Sequence, residues 1–317
     1  NFQFSGGISQ MITLLLTQQI VVLFLMMGCG YLLVKLGLVK SSESQTLSAI
    51  SIYIVLPCVI IDAFQIDYSP QIRDGFLLAI SAAILIHILL FLITFICEKI
   101  WKLDRVEKAS IIYSNSGNLI IPLVTSVLGD EWVIYASAFM CVQMVIMWTH
   151  GQSLMQGKAG VNWKKILTNI NLIAIIMGMV LFFSKISLPS ILSDTLDALS
   201  ALIGPLSMIM LGMLLGAVRW KDVFFQKRIY LITFFKMILL PGIILIALKL
   251  LAAVIPMENT QTILLISLLA VITPSATTIT QMAQLYHQNA AYASSINVLT
   301  TLICIITMPL MVMFYMM

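Results

Sequence analysis

The sequence predicts an all-α polytopic membrane protein of ten transmembrane helices, arranged as two inverted five-helix repeats with broken, crossing helices 4 and 9. Three observations carry that prediction. Hydrophobic residues make up 61% of the 317 residues and Asp, Glu, Lys and Arg only 9%, against roughly 25% charged in a soluble domain. The apolar residues fall into ten runs, and spans of about 20 residues each account for nearly all of them. Prolines and polar clusters recur at matched places in the two halves. So few charges cannot cover a compact soluble body of this length. The net charge of +4 calls for no nucleic-acid partner, because basic loops are what membrane topology demands.

Taken in order, the runs place helices 1 to 5 at Met11–Leu36, Leu47–Ile66, Phe76–Cys97, Lys108–Leu128 and Trp132–Met155. Helices 6 to 10 follow at Asn171–Phe183, Leu192–Val218, Ile229–Ala253, Thr260–Tyr286 and Ala291–Met317. The runs are too long for strands, show no alternation, and lipid tolerates no open sheet edge. Basic residues gather in the odd-numbered connections: Lys35 and Lys40; Lys99, Lys102, Arg105 and Lys108; Lys158, Lys164 and Lys165; Arg219, Lys221, Lys227 and Arg228. The opposite face carries only Arg73, Lys185 and Lys249. Positive-inside reasoning therefore puts those connections in the cytoplasm and both termini outside a cell membrane. No basic stretch with a cleavage site precedes helix 1, so no signal peptide is expected. Cys29, Cys58, Cys97, Cys141 and Cys304 all lie in apolar stretches and read as small core residues.

Leu56-Pro57 interrupts helix 2 and Gly204-Pro205 interrupts helix 7. A polar break ends at Pro122 in helix 4, and another begins at Pro274 in helix 9, at nearly the same interval. Residues 1–155 and 171–317 then form two halves joined by a cytoplasmic connection, 156–170. An odd number of helices inserts the second half upside down, an arrangement common in secondary transporters. The alternative is that these prolines merely kink their helices.

Ser114-Asn115-Ser116-Gly117-Asn118-Leu119-Ile120-Ile121-Pro122 is the least lipid-compatible stretch within any span. Its Asn, Ser and Gly residues compete with helical hydrogen bonds, and Pro122 removes an amide donor. Its counterpart is Thr273-Pro274-Ser275-Ala276-Thr277-Thr278-Ile279-Thr280-Gln281. Unwound backbone at membrane depth survives only where protein or a water-filled cavity satisfies it. Each break leaves a half-helix whose first amides behave as roughly half a positive charge. Two such ends converging, with Asn115, Ser116, Gly117 and Asn118 on one and Ser275, Thr277 and Thr278 on the other, suit a small carboxylate. Alternatively the Asn and Thr side chains only join helices by hydrogen bonds.

The string Asn115-Ser-Gly-Asn-Leu-Ile-Ile-Pro122-Leu123 resembles the N-T-G-x-x-G-I-P-L signature of the auxin efflux carrier family. Thr273-Pro274 followed by Ala283-Gln284-Leu285-Tyr286 is similar to that family's helix 9 stretch, and Gln143-Met-Val-Ile-Met-Trp148 to its Q-x-x-x-x-W. Asn169-Ile-Asn171 stands where the family often has N-P-x at the start of helix 6. The order covers essentially the whole chain. Departures are Ile279 for the second proline of the plant motif, Leu285 for its acidic residue and Ile120 for a glycine. The long cytoplasmic loop of many plant members is shortened to Gly157–Thr168, so indole-acetate specificity does not carry over.

The resemblance implies a homodimer with helices 1, 2, 6 and 7 as scaffold, and helices 3–5 and 8–10 as a transport domain that moves like an elevator. It implies Asn115 as carboxylate contact, Gln143 as a second polar group lining the site, and Pro122 and Pro274 as the crossover breaks. Its bacterial members, annotated for malate or malonate, imply a small mono- or dicarboxylate cargo. An aromatic monocarboxylate is the alternative.

Charges inside spans are costly and so are functional candidates. Asp62 either faces the cargo cavity, gating or coupling transport, or snorkels to the nearby outer interface. Lys236 either attracts an anion or pairs with a carboxylate, or reaches the cytoplasmic headgroups on its long stem. His87 and His150 read as neutral hydrogen-bonded imidazoles, and three histidines give no metal-binding spacing. No cofactor is expected. No P-loop or G-x-S-x-G occurs, and an intramembrane enzyme would need a partner for the one clear carboxylate. A passive channel or a sensor is the remaining rival.

Overall fold

The computed structural model describes residues 18, 21–157, 164, 167–218, 221, 223 and 226–317. Much of helix 1's expected first half, and most of the 156–170 connection with Lys158 and Lys165, lie outside the described residues. Secondary structure among the described residues is helical apart from one isolated β-bridge. Six helices are long and apolar enough to cross a membrane: Ser41–Ala63, Pro70–Trp101, Asp130–Gln156, Ser190–Gly216, Lys227–Val254 and Ala290–Met316. Shorter apolar helices occupy Val21–Lys35, Ile170–Phe183 and Thr260–Val271. These segments coincide with the expected helices 2, 3, 5, 7, 8, 10, 1, 6 and the first half of 9, and keep those numbers below. Helix 4 is split into 4a, Arg105–Ile112, and 4b, Ser116–Val127. Helix 9 is split into 9a, Thr260–Val271, and 9b, Thr277–Leu285.

Two helices widen ahead of a proline. Pro57 and Pro241 cannot donate to the carbonyls of Tyr53 and Met237, and the chain responds with a π-turn at Ser51–Val55 and at Phe235–Leu239. In each the next amide reaches five residues back, Leu56 to Ser51 and Leu240 to Phe235. In helix 7 two residues of turn at Ala201 and Leu202 precede Pro205. The turn in helix 8 carries Lys236 into the protein interior.

Side chains sort as they must in lipid. Leu77, Ile84, Ile88, Leu92 and Phe95 form an exposed apolar stripe along helix 3, while Ala79, Ala82, Ala83, Ile86 and Leu90 face the core. Small residues bring helices 1 and 7 into backbone contact. A Cβ on Gly212 would lie 1.9 Å from the Met27 carbonyl oxygen, and one on Gly30 would lie 2.1 Å from that of Ile209. Gly216, one turn beyond Gly212, presses on Val34; this is the small-residue spacing that closes membrane helix pairs. Helices 2 and 6 meet similarly, Gly178 leaving room for the Phe64 ring.

A separate polar cluster ties helices 3, 4a, 8 and 10. Glu107, fully buried, accepts hydrogen bonds from Arg228, from the Tyr292 hydroxyl (2.8 Å) and from the Asp104 amide (2.8 Å). Arg228 also donates to the carbonyls of Trp101 (3.0 Å) and Lys102 (2.9 Å) at the end of helix 3. Where helix 2 ends and helix 3 begins, Phe64, Phe76, Phe182 and Tyr68 stack edge to face or tilted, with centroids 5.2–6.4 Å apart.

Candidate functional site

The breaks in helices 4 and 9 meet. Ser114 and Ser275 form an antiparallel β-bridge, closed by Asn115 N–H to the Pro274 carbonyl at 2.8 Å and Ala276 N–H to the Tyr113 carbonyl at 3.0 Å. Backbone groups that two continuous helices would satisfy internally are thus satisfied between chain segments. The unwound stretch of helix 4 is only Tyr113–Asn115, with Tyr113 extended at φ −95°, ψ 124°. Pro122 therefore does not mark the break. It lies buried inside helix 4b, where it withholds a single donor, and the packing of Leu119, Ile120, Ile121 and Leu123 around it keeps the turn helical. Pro274 does lie in its break, between Val271 and Thr277.

The outward-facing groups of the two bridged serines are held by side chains in a matched pattern. Gln143 Nε2 of helix 5 donates to the Ser114 carbonyl at 2.8 Å and to Ser116 Oγ at 2.7 Å, and Ser114 N–H reaches Gln143 Oε1 at 3.3 Å. On the other side Asn297 Nδ2 of helix 10 donates to the Ser275 carbonyl, and Ser275 N–H donates to Thr300 Oγ1 at 3.2 Å. One carboxamide on the helix after each break grips its carbonyl. Gln143 thus both lines the site and positions the unwound residues.

Lys236 is 1% exposed, and its Nζ donates to Ser114 Oγ at 2.6 Å. Ser114 Oγ in turn donates to the Val271 carbonyl at 3.2 Å. The side chain is buried and lines neither of the two cavities described below; it supports the carbonyl end of helix 9a through Ser114. Ser114 is not among the partners expected from the sequence (an anion, a carboxylate or the headgroups) because it lies 122 residues away in the chain. Asp62 is half-buried near the end of helix 2 beside Asp197 and borders neither cavity described below. His87 is buried with Nδ1 2.7 Å from the Ala83 carbonyl, and His150 Nδ1 lies 2.9 Å from the Tyr113 hydroxyl. No cluster of potential metal ligands occurs among the described residues.

Two cavities flank the crossover on the side where helices 2 and 6 begin. The first, of about 410 Å³, is bordered by Ser114, Asn115, Ser116, Gln143 and Thr278, by Asn169 and Asn171 of helix 6, and by an apolar wall including Ile52, Leu56, Met140 and Trp148. The second, of about 460 Å³, is bordered by Thr277, Thr280, Asn297, Thr301 and polar residues early in helix 2. Ile52, Tyr53 and Gln281 border both. No Asp, Glu, Lys, Arg or His borders either cavity among the described residues. The first turns of helices 4b and 9b adjoin them. Their leading amides have no intrahelical partner, and Asn115 does not cap helix 4b with its side chain. Gly117 follows in that first turn; the Asn118 side chain lies outside the described residues. Ser275, in the bridge itself, is 1% exposed and borders neither cavity. Asn297, Thr300 and Asn171 were not singled out from the sequence as site residues. Polar residues within apolar helices 6 and 10 were the available signal.

No curated protein matches the sequence. A family model described as membrane transport protein matches residues 15–162 and 158–312, nearly the whole chain. A polytopic helical chain with two broken helices meeting inside it, matched over this length, belongs to the membrane transport protein family, that of the auxin efflux carriers.

Proposed function

We propose that the protein is a secondary transporter of small organic anions, binding a carboxylate at the crossover of helices 4 and 9. The meeting of the two unwound segments beside an uncharged cavity carries this reading. Two half-helix starts bring partial positive charge to one place, and no acidic side chain offsets them there. Asn115, Ser116 and Thr278 supply further polar groups. About 410 Å³ suits a small mono- or dicarboxylate such as malate or malonate. The apolar wall with Trp148 favours, as a second reading, an aromatic monocarboxylate of the auxin kind.

Alternating access follows by an elevator movement. The Glu107–Arg228 cluster supports helices 3–5 and 8–10 as one moving body, and the glycine seams support helices 1, 2, 6 and 7 as a scaffold, on which the family resemblance places a homodimer face. The matched carboxamide grips on Ser114 and Ser275 support two inverted repeats. With basic connections in the cytoplasm and both termini outside the cell membrane, the cavities open inward and the Phe64–Phe76 cluster closes the outer face.

Asn115→Ala, purified into liposomes, is expected to lose labelled carboxylate uptake while melting like the parent. Normal uptake by that variant would remove the site assignment. Trans-stimulated exchange separates this carrier from a channel, which shows none.

A further inference from the structure

Asn171 borders the same cavity as Asn115 but belongs to helix 6. Its neighbour Asn169 is engaged in the fold: Asn169 Oδ1 accepts the amides of Asn171 at 3.0 Å and Leu172 at 3.3 Å and caps the helix. Asn171 is not so used. It is 5% exposed, and its side-chain oxygen Oδ1 is buried with no hydrogen-bond partner. Buried acceptors in native proteins nearly always have a donor; Asn171 lines the cavity while its Oδ1 is closed off, so the carboxamide turns for a donor on the cavity's occupant to reach that oxygen. Among the described residues no acidic side chain borders the cavity to attract a cationic donor. On a small carboxylate the simplest neutral donor is a hydroxyl.

We propose that Asn171 is a specificity-determining contact, its side-chain carbonyl accepting a hydrogen bond from a hydroxyl on the anion held at the crossover. The assignment rests on the anion-binding reading above. Helix 4b then recognises the charge and helix 6 the hydroxyl, from two sides of one cavity. A site built to hydrogen-bond a hydroxyl discriminates against the analogue that lacks it, because the protein group is left unpaired. A water on Oδ1 would serve either cargo and give no such preference.

The test measures uptake KM in liposomes for two matched pairs, lactate with propionate and malate with succinate. The parent protein is expected to favour the hydroxylated member of at least one pair by roughly fivefold or more. Asn171→Ala is expected to bring that ratio to about one, by raising KM for the hydroxylated cargo alone. Asn171→Asp keeps an acceptor oxygen and adds a negative charge, so KM rises for both members while the preference persists. Thermal melting verifies that each variant is folded. A parent without preference, or an unchanged ratio in Asn171→Ala, overturns the assignment. If Asn115→Ala still abolishes uptake of both members, only the Asn171 contact has failed; if Asn115→Ala transports normally, the anion site itself has failed.

Discussion

Replacing Gln143 by leucine removes the grip on the unwound residues of helix 4 at nearly constant side-chain volume. Three hydrogen bonds are lost, to the Ser114 carbonyl, to Ser116 Oγ and from the Ser114 amide. The bridge to helix 9 runs through Tyr113 and Asn115, so both backbone groups of Ser114 lose the side chain that satisfies them. Ser114 is 2% exposed. Each orphaned buried group costs about 1–3 kcal/mol, or roughly 2–6 for two. The amide bond is long at 3.3 Å and water from the adjoining cavity can serve part of the need, which favours the lower half, about 2–4 kcal/mol. In detergent that lowers the melting midpoint by roughly 3–6 °C. Uptake falls at least tenfold, since misplacing site groups by an ångström is enough for that. Asn297→Leu, acting on Ser275, is expected to match it. Unchanged melting together with full uptake in Gln143→Leu would mean that the unwound backbone needs no such support.

Glu107→Ala leaves the buried Tyr292 hydroxyl and the Asp104 amide without their acceptor, while Arg228, about half exposed, turns to solvent. The expected loss is about 1–3 kcal/mol in thermal stability, smaller than for a fully buried ion pair. Gly212→Leu drives a side chain into the Met27 carbonyl and should lower the melting midpoint by at least as much. Gly242→Ala, with nothing within 4 Å of the new Cβ, should melt at or above the parent through helix propensity alone.

The spans were legible because hydropathy over 20 residues is a local property. Their ends were less so. Helix 3 begins at Pro70 rather than Phe76, since Ser69 accepts the Ile72 amide and Pro70 presets the first turn. Gln71, Arg73 and Asp74 keep this stretch outside an apolar window. The break in helix 4 was visible as a polar cluster, but its position was drawn toward Pro122, a residue that a packed helix accommodates. Pairing partners were not legible. Nothing near Lys236 in sequence indicates Ser114, and nothing near Asn297 indicates Ser275, because both depend on two breaks crossing. Asn171 was noted as part of a motif, yet only the hydrogen bonds show that Asn169 is spent on the helix and the Asn171 side-chain oxygen is not.

On the proposed mechanism an anion binds where helices 4b and 9b begin. Anomalous diffraction from crystals saturated with a bromine-labelled small carboxylate tests it most directly. A bromine peak is expected inside the cavity bordered by Asn115, Gln143 and Asn171, with the carboxylate within hydrogen-bonding distance of the first amides of those half-helices. Saturable binding with the bromine elsewhere, such as among the rings of Phe64, Phe76 and Phe182, would contradict it.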